Sequence, residues 1–222
     1  GANDYREWSG RIPGVDILAA RLPGRDSRFN ETPATEFEPL LEHLLAEITP
    51  YLDTPFCLFG HSMGGLFAYE LGRRLEERGH APELVVASGT TAPQMLSRLR
   101  RFPAPSDDVL LAELREDGIA TAELLANKEL MRLLLPILRA DLAVVADYRY
   151  DTSVPPLRAP LALYYGEDEV PDAERLVREW ALSAAAPPRA HRFPGGHFFV
   201  RTARDAVIGQ LVRDLTQREA AR

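Results

Sequence analysis

Residues Gly60-His61-Ser62-Met63-Gly64 follow the apolar run Phe56-Cys57-Leu58-Phe59 and precede a helical stretch over residues 66–78. This order describes a sharp turn from a buried strand into a helix, with a serine at its apex. Such a turn holds the serine at strained backbone angles, projects its hydroxyl above the sheet, and needs small flanking residues so that helix and strand approach closely. Gly60 and Gly64 meet that need, and Gly65 extends it. An oxygen at this place lies near a helix N-terminus, where free N–H groups and the positive dipole end stabilise negative charge. Ser62 is therefore the expected nucleophile, and the Met63 N–H the expected oxyanion donor.

The rest of the chain supplies the sheet that such a turn requires. Short apolar runs alternate with helical patterns, as expected for a mostly parallel sheet covered by helices. Residues 15–19 read as a strand. Phe37, Leu41, Leu44, Leu45, Ile48 and Leu52 recur at three- and four-residue steps, which predicts an amphipathic helix ending before Pro55. A strand at 56–59, a helix at 66–78 closed by Gly79, and a strand at 84–87 follow. Alternation then stops between about residues 92 and 150, where apolar positions such as Leu110, Leu111 and Leu114 keep a helical spacing and no strand-like run occurs. That stretch reads as an inserted helical cap. Pro155-Pro156 and Pro160 mark the return to the core. A strand at 161–165, a helix at 173–182, a short strand at 190–193 and a helix at 204–217 complete an α/β pattern.

Composition narrows the class. The 222 residues are enough for one sizeable core, and a single domain over 1–222 is the default. A net charge of -7 argues against a nucleic-acid binder, which would show a basic face. No apolar stretch reaches the roughly 20 residues needed to span a bilayer, and no signal peptide opens the chain. The expectation is a soluble, cytoplasmic protein with no membrane partner. Cys57, the single cysteine, is expected to be a small buried core residue rather than a redox centre.

A serine hydroxyl needs a general base within hydrogen-bond reach, and that base needs a carboxylate to orient it. On a serine turn of this kind the acid follows the nucleophile in the chain and the histidine comes last. Gly195-Gly196-His197 follows the last predicted strand, so His197 is the base by position. His43, on the polar face of a helix, His80, beside Gly79, His191, within a strand, and His61, inside the turn itself, read as solvated or structural. The acid falls in Gly166-Glu167-Asp168-Glu169, after the strand at 161–165. Asp168 is favoured, because a short aspartate fits a tight loop; Glu169 is its rival, three residues after the glycine. No ligand cluster has metal spacing, and activation through His197 calls for neither metal nor organic cofactor.

With these residues in place, the chain resembles the type II thioesterases of polyketide and non-ribosomal peptide assembly lines, which have the α/β-hydrolase fold. The resemblance rests on Tyr5-Arg6-Glu7-Trp8, Leu22-Pro23-Gly24-Arg25, Leu58-Phe59-Gly60-His61-Ser62-Met63-Gly64-Gly65, Ala87-Ser88-Gly89 and Gly195-Gly196-His197-Phe198-Phe199. It implies hydrolysis of acyl thioesters from the phosphopantetheine arm of an acyl or peptidyl carrier protein, through an acyl-enzyme on Ser62. It also implies that residues 92–150 form a lid, with Met95, Leu96, Leu99, Leu134 and Leu138 as candidate channel lining. Arg98, Arg100 and Arg101 read as a solvated basic face, with contact to an acidic carrier as the alternative. Family members carry a His-Ala-Gly-Gly-type loop before the Tyr-Arg-x-Trp segment, which supplies the second oxyanion donor; this sequence opens inside or just after it, at Gly1-Ala2-Asn3. A chain-terminating thioesterase domain, another carboxylic-ester hydrolase, or a hydrolase fold kept as a binding protein are the competing readings.

Overall fold

The structure, a computed structural model, describes residues 1–96, 106–116, 127–170 and 172–219. Its sheet has four strands, β1 (Cys57–His61), β2 (Leu84–Ser88), β3 (Leu161–Gly166) and β4 (Arg189–Phe193), all parallel and ordered β1-β2-β3-β4. Parallel strands need a crossover between them, and the crossovers are helical. The helices are α1 (Phe37–Ile48), α2 (Met63–Glu77), α3 (Pro93–Leu96), α4 (Asp107–Glu116) and α5 (Lys128–Asp147). They are followed by α6 (Ala173–Trp180), α7 (Phe199–Thr202) and α8 (Arg204–Glu219). No helix among the described residues is long and apolar enough to cross a membrane.

The two central strands, β2 and β3, are buried along their whole length because both faces of the sheet are covered there, whereas the outer strands β1 and β4 are partly exposed. Successive side chains point to opposite faces. Val85 and Ala87 of β2, with Leu161 and Leu163 of β3, therefore join a core with Leu41, Leu66 and Trp180. Leu84, Val86, Ala162 and Tyr164 join a second core with Trp8, Phe193, Phe199 and Val207 on the other face. Helix α2 is stopped as its sequence predicts: Gly79 at φ +87° lets its own N–H reach Glu76 O at 3.1 Å and the His80 N–H reach Leu75 O at 2.8 Å.

Two expectations fail. Residues 15–19 form no strand: Val15 and Leu18 are exposed, and the segment pairs with none of the four strands. An extended apolar run becomes a strand only when a ladder partner takes its backbone groups, and none of the four strands does so here. Cys57 is exposed rather than buried, because it opens β1, an outermost strand of this sheet. Met95 and Leu96 pack on the first core, whereas Leu134 is 40% exposed. Leu99, Arg98, Arg100 and Arg101 lie outside the described residues.

Buried polar groups tie the stretch between β2 and β3 to the sheet-packed helix α2. Arg73, 1% exposed, pairs with Glu70 at 3.0 Å and donates to the backbone carbonyls of Asp151 at 2.8 Å, Pro155 at 3.0 Å and Val154. The Tyr148 hydroxyl donates to Glu70 Oε1 at 2.5 Å. One guanidinium thus satisfies the carbonyls of a turn that holds two prolines. From the other side, Arg25 forms a two-pronged pair with Asp141 of α5, at 2.6 and 3.1 Å. A second buried cluster joins β3 to α8: Asp214 accepts from the Tyr164 hydroxyl at 2.7 Å and from Gln210 at 3.0 Å, with His191 at 3.4 Å. Burial alone would raise the Asp214 pKa, but these partners outweigh it and hold the carboxyl below the usual aspartate range.

Removing Arg73 strands a buried carboxylate and three carbonyls. Arg73→Ala is expected to cost about 3–5 kcal/mol in denaturant unfolding, and a double change with Glu70→Leu less than the sum of the singles. For Asp214 the folded pKa is depressed, so its stabilisation is present above the unfolded value and is lost as pH falls. The deficit of Asp214→Asn measured near neutral pH is expected to shrink as pH drops to about 3.

Candidate active site

Ser62 lies between the last residue of β1 and the first of α2, with φ 57° and ψ -123°. A positive φ at a non-glycine residue is strained and persists only where surrounding structure enforces it. Here the enforcement is steric. A Cβ on Gly60 would lie 1.8 Å from Gly64 O, and one on Gly65 would lie 2.7 Å from Thr90 Cγ2 and 3.2 Å from Ser88 O. The strand end and the helix start therefore touch backbone to backbone. The Ser62 N–H is engaged by Ser88 O at 2.8 Å, and the Ser62 carbonyl accepts from Gly65 N at 2.9 Å. Met63 opens α2, so its N–H is among the first four of the helix, which have no acceptor within it.

Two loops bring the remaining groups over the C-terminal ends of the strands. The turn after β3 is fastened to the loop after β4, because Glu167 N donates to Phe193 O at 2.9 Å and Asp168 N to Gly195 O at 3.2 Å. Gly166 is required at that contact: a Cβ there would meet Gly196 O at 2.4 Å. The turn then closes on itself through Glu169 N to Gly166 O, 3.2 Å, and delivers the Glu169 carboxylate to His197 Nδ1 at 2.7 Å. With side chains 21% and 34% exposed, His197 and Glu169 form a partly shielded pair.

The residue against His197 is therefore Glu169, and Asp168, favoured from sequence, is not. In this turn the backbone of residue 168 is committed to Gly195, and the third position after Gly166 is the one that faces the imidazole. The longer side chain of glutamate covers that span. Glu167, the remaining acid, pairs with Arg192 at 3.4 Å.

Ser62, Met63, Glu169 and His197 line one cavity of about 450 Å³. Its apolar wall includes Leu66, Leu96, Val145, Leu163, Val170 and Leu176, drawn from the sheet, its helices and the stretch between β2 and β3. Thr90, Thr91 and Arg175 give it a polar side. An apolar pocket that ends on a serine and an imidazole suits an acyl chain whose carbonyl stops at the hydroxyl. Among the described residues, no group of three or more His, Cys, Asp or Glu side chains is placed to hold a metal ion.

One feature is poorly legible in sequence. His61 is the register partner of Ser88, and its Nδ1 lies 2.9 Å from the Ser88 hydroxyl. Burial, aided by the neighbouring His197 and Arg201, pushes its pKa down to about 3, so the ring is neutral at physiological pH. Its Nε2 is buried without a hydrogen bond of ordinary geometry, although the nearby His197 backbone gives protonation slight support. The strand, extended two residues past Phe59, is the signal that places His61 on the ladder. Of the other histidines, His80 is exposed, His43 contacts Arg28 at 3.1 Å, and His191 belongs to the Asp214 cluster.

A family model of the thioesterase domain matches residues 1–215. The gramicidin S biosynthesis protein GrsT of Aneurinibacillus migulanus is 29% identical over 217 residues, which cover 97% of this chain and 84% of that protein. The type II thioesterase BorB from the borrelidin biosynthetic cluster superposes with a TM-score of 0.83 at 34% identity, covering 97% of this chain and 88% of that one. YbtT, a type II thioesterase from the yersiniabactin pathway, gives 0.80 at 31% identity, with 98% and 89% covered. Both of these solved structures are type II thioesterases, and each match covers nearly the whole of this chain. The chain belongs to the thioesterase domain family, an α/β-hydrolase-fold enzyme of the type II thioesterase group found in polyketide and non-ribosomal peptide biosynthesis.

Proposed function

We propose that this enzyme removes acyl groups from the phosphopantetheine arm of acyl or peptidyl carrier proteins, an editing hydrolysis, through a serine acyl-enzyme. The observation that carries the reading is Ser62 at φ 57°, in one cavity with a His197 whose Nδ1 is held by Glu169. In the proposed cycle the Ser62 Oγ attacks the thioester carbonyl carbon while its proton passes to His197 Nε2. The tetrahedral oxygen gathers negative charge at the start of α2, where the Met63 N–H is the assigned donor. Collapse breaks the C–S bond, and the thiol leaves with the proton from His197. A water molecule then gives a proton to the same imidazole and attacks the acyl ester, releasing the carboxylic acid and restoring Ser62.

In this scheme Glu169 accepts from His197 Nδ1–H, which fixes the tautomer and stabilises the imidazolium that forms twice per turnover. Asp168 has no part. No step calls for a metal or an organic cofactor. Residues 92–150, an insertion within a single domain, act as the lid, because Leu96 and Val145 give the cavity wall from that stretch and the Arg25–Asp141 pair fastens it.

The test compares hydrolysis of one short acyl group presented on a carrier protein, on coenzyme A and as a simple ester. The expected result is preference for the carrier across several acyl groups; a preference for the simple ester, or strict selection of one long chain, contradicts the editing role. Ser62→Ala is expected to abolish turnover with the fold intact. Glu169→Ala should lower kcat by about 100-fold or more, while Asp168→Ala should stay within about threefold of the parent. The reverse ranking would return the acid to residue 168.

A further inference from the structure

Beside the imidazole of His197 stands a second imidazole that the reaction scheme does not use. His61 ends β1, and the buried Ser88 hydroxyl at the end of β2 holds its Nδ1 at 2.9 Å. Gly89, at φ +52°, leaves room for the ring: a Cβ there would fall 2.6 Å from His61 Cε1. On its other side the ring meets the His197 loop. Its centroid is 5.0 Å from that of His197 with planes 47° apart, 5.5 Å from Phe199 in an edge-to-face contact, and 6.0 Å from Phe198. Phe198 also lies edge-on to His197, 4.8 Å away. His197 is thus gripped by Glu169 at one nitrogen and flanked by two rings.

We infer that His61 is a positioning residue: anchored by Ser88, it is the wall against which His197 keeps its remaining nitrogen turned toward Ser62. The inference rests on the proposed roles of Ser62 and His197. The grip at Nδ1 alone leaves the imidazole free to pivot about that hydrogen bond, and flanking rings remove this freedom. A displacement of the base by about 1 Å is enough to cost about 100-fold in rate. The wall must also stay uncharged while its neighbour carries a proton. The titratable and charged groups facing His61 are His197 and Arg201, which oppose its protonation, and Asp4, which favours it more weakly. Burial among them keeps the ring neutral through the cycle.

The test uses His61→Ala, His61→Phe and Ser88→Ala in the full chain, with melting temperatures measured alongside thioester hydrolysis. His61→Ala is expected to lower kcat by about 10- to 100-fold with KM within about threefold, at a temperature where the variant is fully folded. His61→Phe, which refills the wall without a titratable group, is expected to recover most of that loss. Ser88→Ala, which releases the anchor, should fall between the two. A folded His61→Ala variant with parental kcat overturns the inference, as does a folded His61→Phe variant as impaired as His61→Ala. Ser62→Ala serves as the control: if it retains turnover, the catalytic reading fails, whereas its inactivity beside a normal His61→Ala overturns the positioning role alone.

Discussion

The near contact of two backbones at residues 60–65 governs the rest of the molecule. Gly60 and Gly64 approach so closely that no side chain fits between β1 and α2, and the chain between them turns through the left-handed conformation at Ser62. Such a conformation costs of order 1–3 kcal/mol at a non-glycine residue. It is offset by packing on both sides, since Leu58 enters one core, Phe59 packs on the other, and α2 is buried along most of its length. Strain and the proposed function share a residue, because the backbone resists the geometry that sets Ser62 on the cavity wall.

Everything the serine needs is then brought by other strand ends. β2 supplies Ser88, whose carbonyl takes the Ser62 N–H and whose hydroxyl anchors His61. The loops after β3 and β4 are bonded to one another before either reaches the serine, so Glu169 and His197 arrive as a preassembled pair. A parallel sheet makes this possible, since every strand ends on the same side. Farther out, the Arg73–Glu70–Tyr148 cluster and the Arg25–Asp141 pair fasten the helical stretch between β2 and β3 at separate points. Val145 of the cavity wall lies in the chain between those fastenings.

Much of this was legible in the residues themselves. The serine turn, the apolar strands β2 and β3 and the helix stop at Gly79 follow from local chemistry, because glycine placement and apolar runs report on geometry within a few residues. What escaped depended on contacts distant in sequence. Residues 15–19 have a strand's composition but no ladder partner, and Cys57 looks like a core residue until β1 proves to be an outer strand. The acid was open between two adjacent residues because the deciding bonds, from the backbone of the turn to Phe193 and Gly195, cross nearly thirty positions of chain. The His61–Ser88 pairing is set by register between strands, which neither segment reveals alone.

The central claim is that one hydroxyl is activated by one imidazole across the cavity. Labelling the enzyme with a serine-directed phosphonate and locating the adduct by peptide mass spectrometry tests it directly. A single adduct on Ser62, formed about 100-fold or more slowly in His197→Ala, is the predicted result. An adduct at another residue, or labelling of Ser62 at an unchanged rate without His197, would contradict the account.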